Sequence, residues 1–358
     1  MMNPNPHPVR IGVIGCGVIG PTHLKLAANC PAAKVVAVAD LIPERAQSKA
    51  QAFGIPAVYF NDEDLLNDPQ VEAVVLAMPT GDRTPVAYKA LKRGKHVLLE
   101  KPVAARASEV RKMMALRKDR VVACCSSRMA FTAQARAAAD CVASGVLGKI
   151  RVVRARVVMA AGAKPVFDPP PAWRQSMKLN GGGILVNWSC YDLNYLMRIT
   201  GWRLRPRTVL ARWWPVAPPM ASFVAPGSDA DAHFTAMILC DDDIVLSLER
   251  AEMSAVSSDQ AWEIIGTEGS LHMPMLAPQG QPHTVVLDRF VPGKGVQSET
   301  IWSAETSGPA SGDVISDFVG AIRDGREPET SLERALVMQQ ITDAIYASAA
   351  KGRSVAIR

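Results

Sequence analysis

A glycine pattern near the amino end constrains the fold of this chain more than any other feature. The apolar run 9–14 predicts a strand that leads through three spaced glycines into a helix from about Thr22. In this context the first glycine allows a tight turn, the second lets the backbone approach a pyrophosphate, and the third lets helix and strand pack closely. The helix amino end then faces the phosphates. The candidate cofactor contacts in this loop are Gly15, Gly17, Val18, Ile19 and Gly20.

The second predicted strand, residues 34–39, ends at an acid that discriminates between cofactors. Asp40 follows Gly20 by twenty residues, where a carboxylate accepts hydrogen bonds from ribose hydroxyls and repels a 2′-phosphate. Residues 41–43 supply no cation to hold such a phosphate. The sequence therefore favours NAD, while Arg45, early in the next helix, keeps NADP open as the less favoured cofactor.

A lysine follows the apolar run 96–99, which predicts a buried parallel strand. Its carboxyl end reads Glu100, Lys101, Pro102. Ligands of doubly wound sheets bind beyond the carboxyl ends of the strands, so we expect Glu100 and Lys101 on the cofactor side. Proline fixes the local backbone, and a cis bond is one way to hold the amine in one orientation. The alternative for an isolated lysine is a solvated surface position.

Two more predicted strands end at the same edge of the sheet. The strand 71–77 leads to Pro79 and Thr80, whose backbone and hydroxyl are candidate contacts for the nicotinamide side of a dinucleotide. The strand 121–126 leads to Arg128, a candidate for both cofactor and substrate binding. These strands complete a predicted sheet of about six parallel strands.

Length and patterning predict two domains after a tail. The chain has 358 residues, and domains commonly span about 100–200. We expect a flexible tail over 1–8 and an N-terminal Rossmann doubly wound parallel sheet over 9–125. An α/β domain with a large open, mainly antiparallel sheet should occupy 126–358, because apolar alternation at strand length recurs there, with Asp241–Asp243 as a hairpin turn. This domain should bind substrate and, through its free sheet face, form a homo-oligomer, a dimer or tetramer.

Composition narrows the partners. No apolar run approaches the roughly 18 residues of a membrane span. Seven cysteines without a CxxC pair predict reduced thiols and no metal site. The net charge of +6 lies in residues 1–125, with 17 Lys and Arg against 11 Asp and Glu. Most of it falls between Arg83 and Arg120, a stretch without the interleaved aromatic residues that stack bases. We therefore expect a cytoplasmic protein that binds a small molecule, and neither nucleic acid nor membrane.

The order of these motifs resembles the Gfo/Idh/MocA oxidoreductases. The resemblance covers nearly the whole chain and rests on the glycine fingerprint, Asp40, the loop after residue 77, the stretch 94–102, the stretch 145–150 and Gly181–Gly183. It implies a Rossmann domain followed by an α/β domain with an open sheet. It also implies hydride transfer between a nicotinamide and a hydroxyl or keto carbon of a polyhydroxylated substrate such as a sugar, glycoside or cyclitol.

The substrate chemistry is expected between Trp173 and Asn194. Trp173 and Arg174 offer an apolar ring for a sugar face and a cation for an oxygen, whereas the alternative is a packed Trp with a solvated Arg. Beyond the glycine loop, Asn187, Tyr191 and Asn194 are spaced i, i+4, i+7 and share one face of a predicted helix.

The chain departs from the family pattern on that face. Members commonly have Asp, His and Asp at positions 187, 191 and 194, and a lysine, an aspartate and the histidine act together in proton transfer. Only Lys101 is retained here. A tyrosine hydroxyl donates and accepts protons, and a nearby ammonium lowers its pKa from about 10. We therefore predict Lys101, Tyr191 and Asn187 as catalytic residues that also bind substrate. Arg83 stands where members often have His.

Two function classes stay open on the sequence. One is an NAD(P)-dependent dehydrogenase or reductase that acts on CH–OH groups. The other is a non-catalytic regulatory protein that senses dinucleotide and sugar on the same scaffold. Retention of Lys101 favours the enzyme, whereas Asn187 and Tyr191 suit the sensor.

Overall fold

The computed structural model describes residues 7–277, 280–305 and 312–358. Most of the tail predicted for 1–8 lies outside the described residues. The chain divides into two compact units. The described residues up to Arg128, with Gly312–Gln339, form the first, and those from Met129, with Gln340–Arg358, form the second.

The first unit alternates strands and helices. Its elements up to Arg128 are β1 (Val9–Ile14), α1 (Gly20–Ala28), β2 (Ala33–Ala39), α2 (Pro43–Phe53), β3 (Ala57–Tyr59), α3 (Asp62–Asn67), β4 (Ala73–Leu76), α4 (Thr80–Lys92), β5 (His96–Leu99), α5 (Ala107–Leu116) and β6 (Val122–Cys124). All six strands are parallel, in the order β3-β2-β1-β4-β5-β6. The predicted Rossmann sheet is confirmed.

The register of this sheet aligns the strand ends that the sequence singled out. Ile14 pairs with Ala39 on one side and Leu76 on the other, and Leu76 pairs with Leu99. Leu99 in turn pairs with Cys124. Because the strands are parallel and end on one rung, the loops that follow them emerge at one edge, where the strand order reverses between β1 and β4.

The second unit is built on a nine-stranded sheet. The remaining elements of the chain are α6 (Ala133–Ala143), β7 (Ile150–Ala160), α7 (Met177–Asn180), a π-helix (Leu185–Ser189), α8 (Cys190–Ile199), β8 (Pro206–Trp214), β9 (His233–Cys240), β10 (Val245–Ser254), β11 (Asp259–Gly266), β12 (Gly269–His272), β13 (His283–Val291), β14 (Gly295–Ala304), α9 (Val314–Asp324), α10 (Leu332–Lys351) and β15 (Val355–Ala356). The strand order is β14-β13-β12-β11-β7-β10-β9-β8-β15. Among the described strands of this nine-stranded sheet, only the β7–β10 pair is parallel, which confirms the mainly antiparallel sheet.

Buried and more exposed side chains alternate along the strands, so this sheet has one buried face. Phe234, Ile238, Leu246, Trp262 and Ile264 are buried, and their neighbours in sequence are more exposed. On the buried side α8 packs against β7 and against α6, which in turn packs against β13. The sheet is therefore covered by helices on this face.

Several predicted elements are confirmed and several were missed. Asp241–Asp243 forms a 3-10 turn between the antiparallel strands β9 and β10, as expected for a hairpin. The helix predicted from Thr22 begins earlier, at Gly20, because Pro21 fits the first turn of a helix. The elements β12, β13, β14, β15 and α6 were not predicted. Among the described residues, none of the helices has the length and apolar character needed to cross a membrane.

Candidate active site

The glycine fingerprint forms a close-packed turn after β1. Gly15 has φ +100°, and a Cβ there would lie 2.4 Å from the carbonyl oxygen of Ala77. At Gly20 a Cβ would lie 2.2 Å from the carbonyl oxygen of Gly15. Any larger residue at either position would force the backbone apart, so both glycines are required by space. Val18 in the same loop is 94% exposed.

Asp40 lies beside this loop with its carboxylate oriented by backbone amides. The amide of Cys16 donates to Oδ2 at 2.7 Å and the amide of Ile42 donates to Oδ1 at 2.9 Å. Each carboxylate oxygen keeps acceptor capacity, so both can receive a ribose hydroxyl. The Arg45 guanidinium lies near the loop, with Nη1 3.8 Å from where a Cβ of Gly17 would stand. The turn and the acid together fit a dinucleotide.

Glu100 is buried at the end of β5, where three groups donate to its carboxylate. His23 Nε2 lies 2.8 Å and Arg128 Nη2 2.9 Å from its Oε1, and the Lys101 amide donates to Oε2 at 3.0 Å. Burial alone would raise the pKa of Glu100, but the hydrogen bond from His23 and the charge of Arg128 hold that pKa well below its usual range. The carboxylate therefore stays ionised and fixes the backbone from which Lys101 extends. The Lys101–Pro102 bond is cis, as considered from the sequence.

Arg83 connects the loops after β4 and β5. Its side chain is 1% exposed and donates to the carbonyl oxygens of Met78 (2.7 Å) and Pro102, and to the Thr80 hydroxyl (3.3 Å). These bonds hold the loop that contains Pro79 and Thr80 against the turn that follows Lys101. The sequence predicted no role for Arg83. In the structure its hydrogen bonds connect two loops within the first unit.

In the second unit, Asn187 lies in the π-helix and Tyr191 in the first turn of α8. Both side chains are buried, each with 4% of its surface exposed. The ring of Tyr191 makes an edge contact with Trp188 at 5.7 Å between ring centroids. The expected helix is confirmed, although it begins with a π turn, a form that is frequent at functional sites.

The glycine loop before this helix is tied down by Asp231. Its carboxylate accepts from the amides of Gly183 and Leu185, both at 2.8 Å, and from the Tyr346 hydroxyl at 2.6 Å. A Cβ at Gly183 would lie 1.9 Å from the carbonyl oxygen of Asp231. The small size of the glycine lets the Asp231 segment approach and cap the amides at the start of the helix.

Arg174 and Trp173 differ in their surroundings. Trp173 is 39% exposed, which leaves part of its ring open. The Arg174 guanidinium instead forms a two-point ion pair with Glu252 at 2.9 and 2.6 Å. The Arg174 carbonyl accepts from Asn187 Nδ2 at 2.9 Å, so this residue also contacts the helix that contains Tyr191.

A buried ion pair joins α8, the helix that contains Tyr191, to β10. Arg250 Nη1 donates to both carboxylate oxygens of Asp192, at 2.7 and 2.6 Å, and Trp262 Nε1 donates to the same carboxylate at 3.0 Å. The Arg250 guanidinium lies 4.9 Å from the centre of the Trp188 ring. The Trp188 ring beside Tyr191 therefore packs against a cation whose charge is paired with Asp192.

The predicted site residues divide between the two units. The glycine loop, Asp40, Thr80, Glu100, Lys101 and Arg128 belong to the first, and Trp173, Arg174, Asn187 and Tyr191 to the second. Sequence reasoning missed His23, Asp231, Asp192 and Glu252. None of these follows a strand end or completes a motif, and their partners lie far along the chain, so spacing gave no signal for them.

The chain was compared with known families and structures. Residues 9–127 match a model described as an oxidoreductase family with an NAD-binding Rossmann fold, and residues 135–272 match the GFO/IDH/MocA C-terminal domain. One relative, dTDP-3,4-didehydro-2,6-dideoxy-alpha-D-glucose 3-reductase of Streptomyces violaceoruber, is 28% identical and covers 78% of this chain and 76% of its own. Another, scyllo-inositol 2-dehydrogenase (NAD(+)) of Bacillus subtilis, is 27% identical over 79% and 81%.

A solved structure extends the likeness to the whole fold. Levoglucosan dehydrogenase in complex with NADH and L-sorbose has a TM-score of 0.81, with 98% of this chain and 99% of that chain covered at 22% identity. The two family models together span most of the chain, and the glycine turn with Asp40 fits the cofactor that the first model names. The chain belongs to the GFO/IDH/MocA family of NAD-dependent oxidoreductases.

Proposed function

We propose that this protein transfers a hydride between NAD and a hydroxyl or keto carbon of a sugar, glycoside or cyclitol. The observation that supports this most is Lys101, which follows β5 at the ligand edge of the Rossmann sheet and whose backbone Glu100 anchors. The relatives point to the same substrate class, since one is named as a reductase of a deoxysugar nucleotide and another as an inositol dehydrogenase.

The roles of the catalytic residues follow from the charge that develops. When bound, NAD accepts the hydride during oxidation of an alcohol or supplies it during reduction. The hydroxyl proton must then move to or from a group within hydrogen-bond reach. We assign this exchange to Tyr191, while the Lys101 ammonium binds the reacting oxygen and stabilises negative charge on it. Asn187 keeps the helix that contains Tyr191 in place.

Other side chains are assigned to binding. Trp173, with its partly open ring, packs against the apolar face of the substrate. We assign Arg128, which pairs with Glu100, to contacts with cofactor and substrate. Arg174 contributes through the backbone that it anchors, since its guanidinium is paired with Glu252. Pro79 and Thr80 are assigned to the nicotinamide side.

Asp40 should give NAD an advantage over NADP. The carboxylate accepts from ribose hydroxyls and would repel a 2′-phosphate, because the like charges approach closely. Titration of the protein with NADH and NADPH should give the lower Kd for NADH, and Asp40→Ser should narrow the difference. Equal affinity in the unaltered protein would transfer the decisive role to Arg45.

A substrate screen tests the proposed activity. Purified protein is incubated with NAD and a panel of aldoses, anhydrosugars, glycosides and cyclitols, and reduction is followed by nicotinamide absorbance. In parallel, nicotinamide fluorescence reports NADH binding. Turnover of at least one polyhydroxylated compound is expected. Binding of both ligands without any absorbance change would contradict the proposal and favour a sensor.

The free face of the nine-stranded sheet supports the proposal of a homo-oligomer. Leu210 and Met237 pair across β8 and β9 and are 54% and 56% exposed. Leu239 and Trp214, on the same strands, are 49% and 47% exposed. Contiguous exposed apolar side chains of this size mark interaction surfaces. The central strands differ, because Arg154 and Arg156 on β7 form ion pairs with neighbouring strands there. We assign the apolar half to contact with a second copy of this chain.

The assembly can be tested by light scattering at micromolar concentration. The unaltered protein should be a dimer or tetramer, and Leu210→Asp should lower its mass because a charge would be buried in the contact. Phe53→Asp, at an exposed apolar position on α2, is the matched control and should leave the mass unchanged. A monomeric unaltered protein would contradict the assignment. A cytoplasmic location stays a prediction, in line with the seven free thiols.

A further inference from the structure

Two buried amides lie together between the glycine loop and the helix that contains Tyr191. Asn180 and Asn187 are 2% and 4% exposed, and Asn180 Nδ2 donates to Asn187 Oδ1 at 3.1 Å. Asn180 Nδ2 also donates to the carbonyl oxygen of Gly182 at 3.2 Å, and Asn187 Nδ2 donates to that of Arg174 at 2.9 Å. Carbonyl oxygens only accept, so each amide must direct its NH2 group toward its carbonyl. The orientation of Asn187 is thereby determined by the backbone.

The carbonyl that receives Asn187 is itself held in place. The Arg174 guanidinium makes two bonds to Glu252, and Gln175 Nε2 donates to Glu252 Oε1 at 2.7 Å. The side chains of Arg174 and Glu252 are 22% and 15% exposed. A bidentate pair of this kind fixes geometry as well as adding energy. Two successive residues are thus anchored to one carboxylate on β10, and their backbone presents a fixed acceptor to Asn187.

We propose that Asn187 is a positioning residue whose Nδ2–H bond to the Arg174 carbonyl orients the helical turn that contains Tyr191, and that Glu252 holds this acceptor in place. The proposal rests on the function assigned to Tyr191 above. It explains the departure at position 187: an aspartate, the residue of the common family pattern, would direct a carboxylate oxygen at a carbonyl oxygen. In this chain the Arg174 carbonyl needs a donor, which the amide of Asn187 supplies.

The test is Asn187→Asp, followed over pH. Near neutral pH the ionised carboxylate cannot donate to the Arg174 carbonyl, and we expect kcat/KM for the sugar to fall about tenfold to hundredfold, the loss expected for an unsatisfied buried group. Burial raises the pKa of the introduced carboxyl, so its protonated form, which can donate, returns as pH falls. Activity relative to the unaltered protein should therefore recover toward pH 5. Asn67→Asp adds the same charge at an exposed position and should show no such recovery.

A second variant tests the anchor. Glu252→Gln keeps the shape but removes the charge that binds Arg174, and it should raise the sugar KM while leaving the Kd for NADH unchanged. Its matched control is Glu249→Gln on the same strand, whose partner Arg156 lies on the opposite face of the sheet. Equal KM values for both variants would contradict the role of Glu252.

Three outcomes separate the inference from the proposed function. Higher turnover of Asn187→Asp at neutral pH would overturn the inference, because position 187 would then be a proton carrier. If the unaltered protein turns over no sugar, the proposed function fails, and thermal unfolding still tests the inference. The midpoint of Asn187→Asp should then approach that of the unaltered protein as pH falls, since the folded state binds the extra proton more tightly. If the unfolding midpoints of Asn187→Asp and the unaltered protein differ by the same amount at every pH, the inference is overturned.

Discussion

In each unit a buried carboxylate holds the segment that leads to a candidate catalytic residue, Glu100 before Lys101 and Asp231 at the glycine loop before Asn187, and the pKa values of these two carboxylates shift in opposite directions. Glu100, in the first unit, has its pKa lowered, and Asp231, in the second, has its pKa raised. Both lie almost wholly out of solvent, with 6% and 0% of their surfaces exposed. The difference therefore does not come from depth.

The partners explain the difference. Burial is the largest influence on both pKa values and raises each. Around Glu100, the hydrogen bond from His23 and the Arg128 charge outweigh it. Asp231 receives only neutral donors, the Tyr346 hydroxyl and the amides of the glycine loop, and these do not compensate fully. The hydrogen bond from His23 and the charge of Arg128 thus decide the direction in which the pKa of the buried acid shifts. We expect the contribution of Glu100 to stability to depend on its charged partners, and that of Asp231 to depend on the geometry of its hydrogen bonds.

The largest effect on stability is expected for Glu100→Gln. It leaves Arg128 and His23 beside an uncharged amide, and breaking a buried pair in this way costs about 3 kcal/mol. Urea unfolding should report the loss. Glu72→Gln, whose pair with Arg10 is about 40% exposed on each side, should cost less than about 1 kcal/mol. Equal losses for both variants would show that the buried pair adds nothing.

A smaller loss is expected for Asp231→Asn. The new NH2 group must face at least one of the donors from Gly183, Leu185 and Tyr346, which leaves a buried donor unsatisfied at a cost of about 2 kcal/mol. Urea unfolding again measures it. The control is Asp229→Asn, which retains its acceptor for the Met177 amide at an exposed position. An unchanged unfolding midpoint for Asp231→Asn would contradict the hydrogen-bond account.

The losses of stability caused by Glu100→Gln and by Asp231→Asn should change with pH in opposite directions. Because the folded pKa of Glu100 is lowered, its contribution is present above the unfolded value of about 4.3 and is lost as pH falls below it. Because the folded pKa of Asp231 is raised above about 3.9, its contribution is present at low pH and is lost as pH rises through the folded pKa. Thermal midpoints from pH 3 to 7 should show the effect of Glu100→Gln shrinking and that of Asp231→Asn growing toward acid. If the destabilisation by the two variants changed with pH in the same direction, the contrast between Glu100 and Asp231 would be refuted.

The smallest effect is expected for Tyr346→Phe. It removes one of three donors to Asp231 and leaves the two amides in place, so the free energy of unfolding should fall by about 1 kcal/mol. Tyr59→Phe, whose hydroxyl contacts Asp68 in a more solvated position, serves as the control. Because Tyr346 favours ionised Asp231, the variant should also raise the pKa of that carboxyl further, which titration by NMR can measure. A lower pKa would contradict this.

The sequence predicted the first unit better than the second, for a physical reason. The turn at Gly15, Asp40 and Lys101 each occupy the end of a strand, and a parallel sheet brings such ends to one edge. Local pattern therefore determined their position. Glu252 and Asp231 act through partners 46 to 115 residues away, as the bonds to Leu185, Arg174 and Tyr346 show. No local period reports such contacts.

Secondary structure followed the same rule. The strand Ile150–Ala160 lies in the part of the chain where apolar alternation predicted strands, and its buried and more exposed residues alternate along much of its length. The strand Gly295–Ala304 was missed because it is exposed along most of its length and has no apolar alternation. The π turn at Leu185–Ser189 was also missed, since its start depends on Asp231 rather than on its own sequence.

The most direct test of the central claim compares Lys101→Ala and Tyr191→Phe with the unaltered protein on one sugar substrate. If Tyr191 exchanges the proton and Lys101 binds the reacting oxygen, each change should lower kcat by about a hundredfold to ten-thousandfold. The Kd for NADH should stay nearly the same, because the glycine turn and Asp40 are untouched. Full activity of Tyr191→Phe would contradict the account and assign the proton exchange to Lys101 or to another residue.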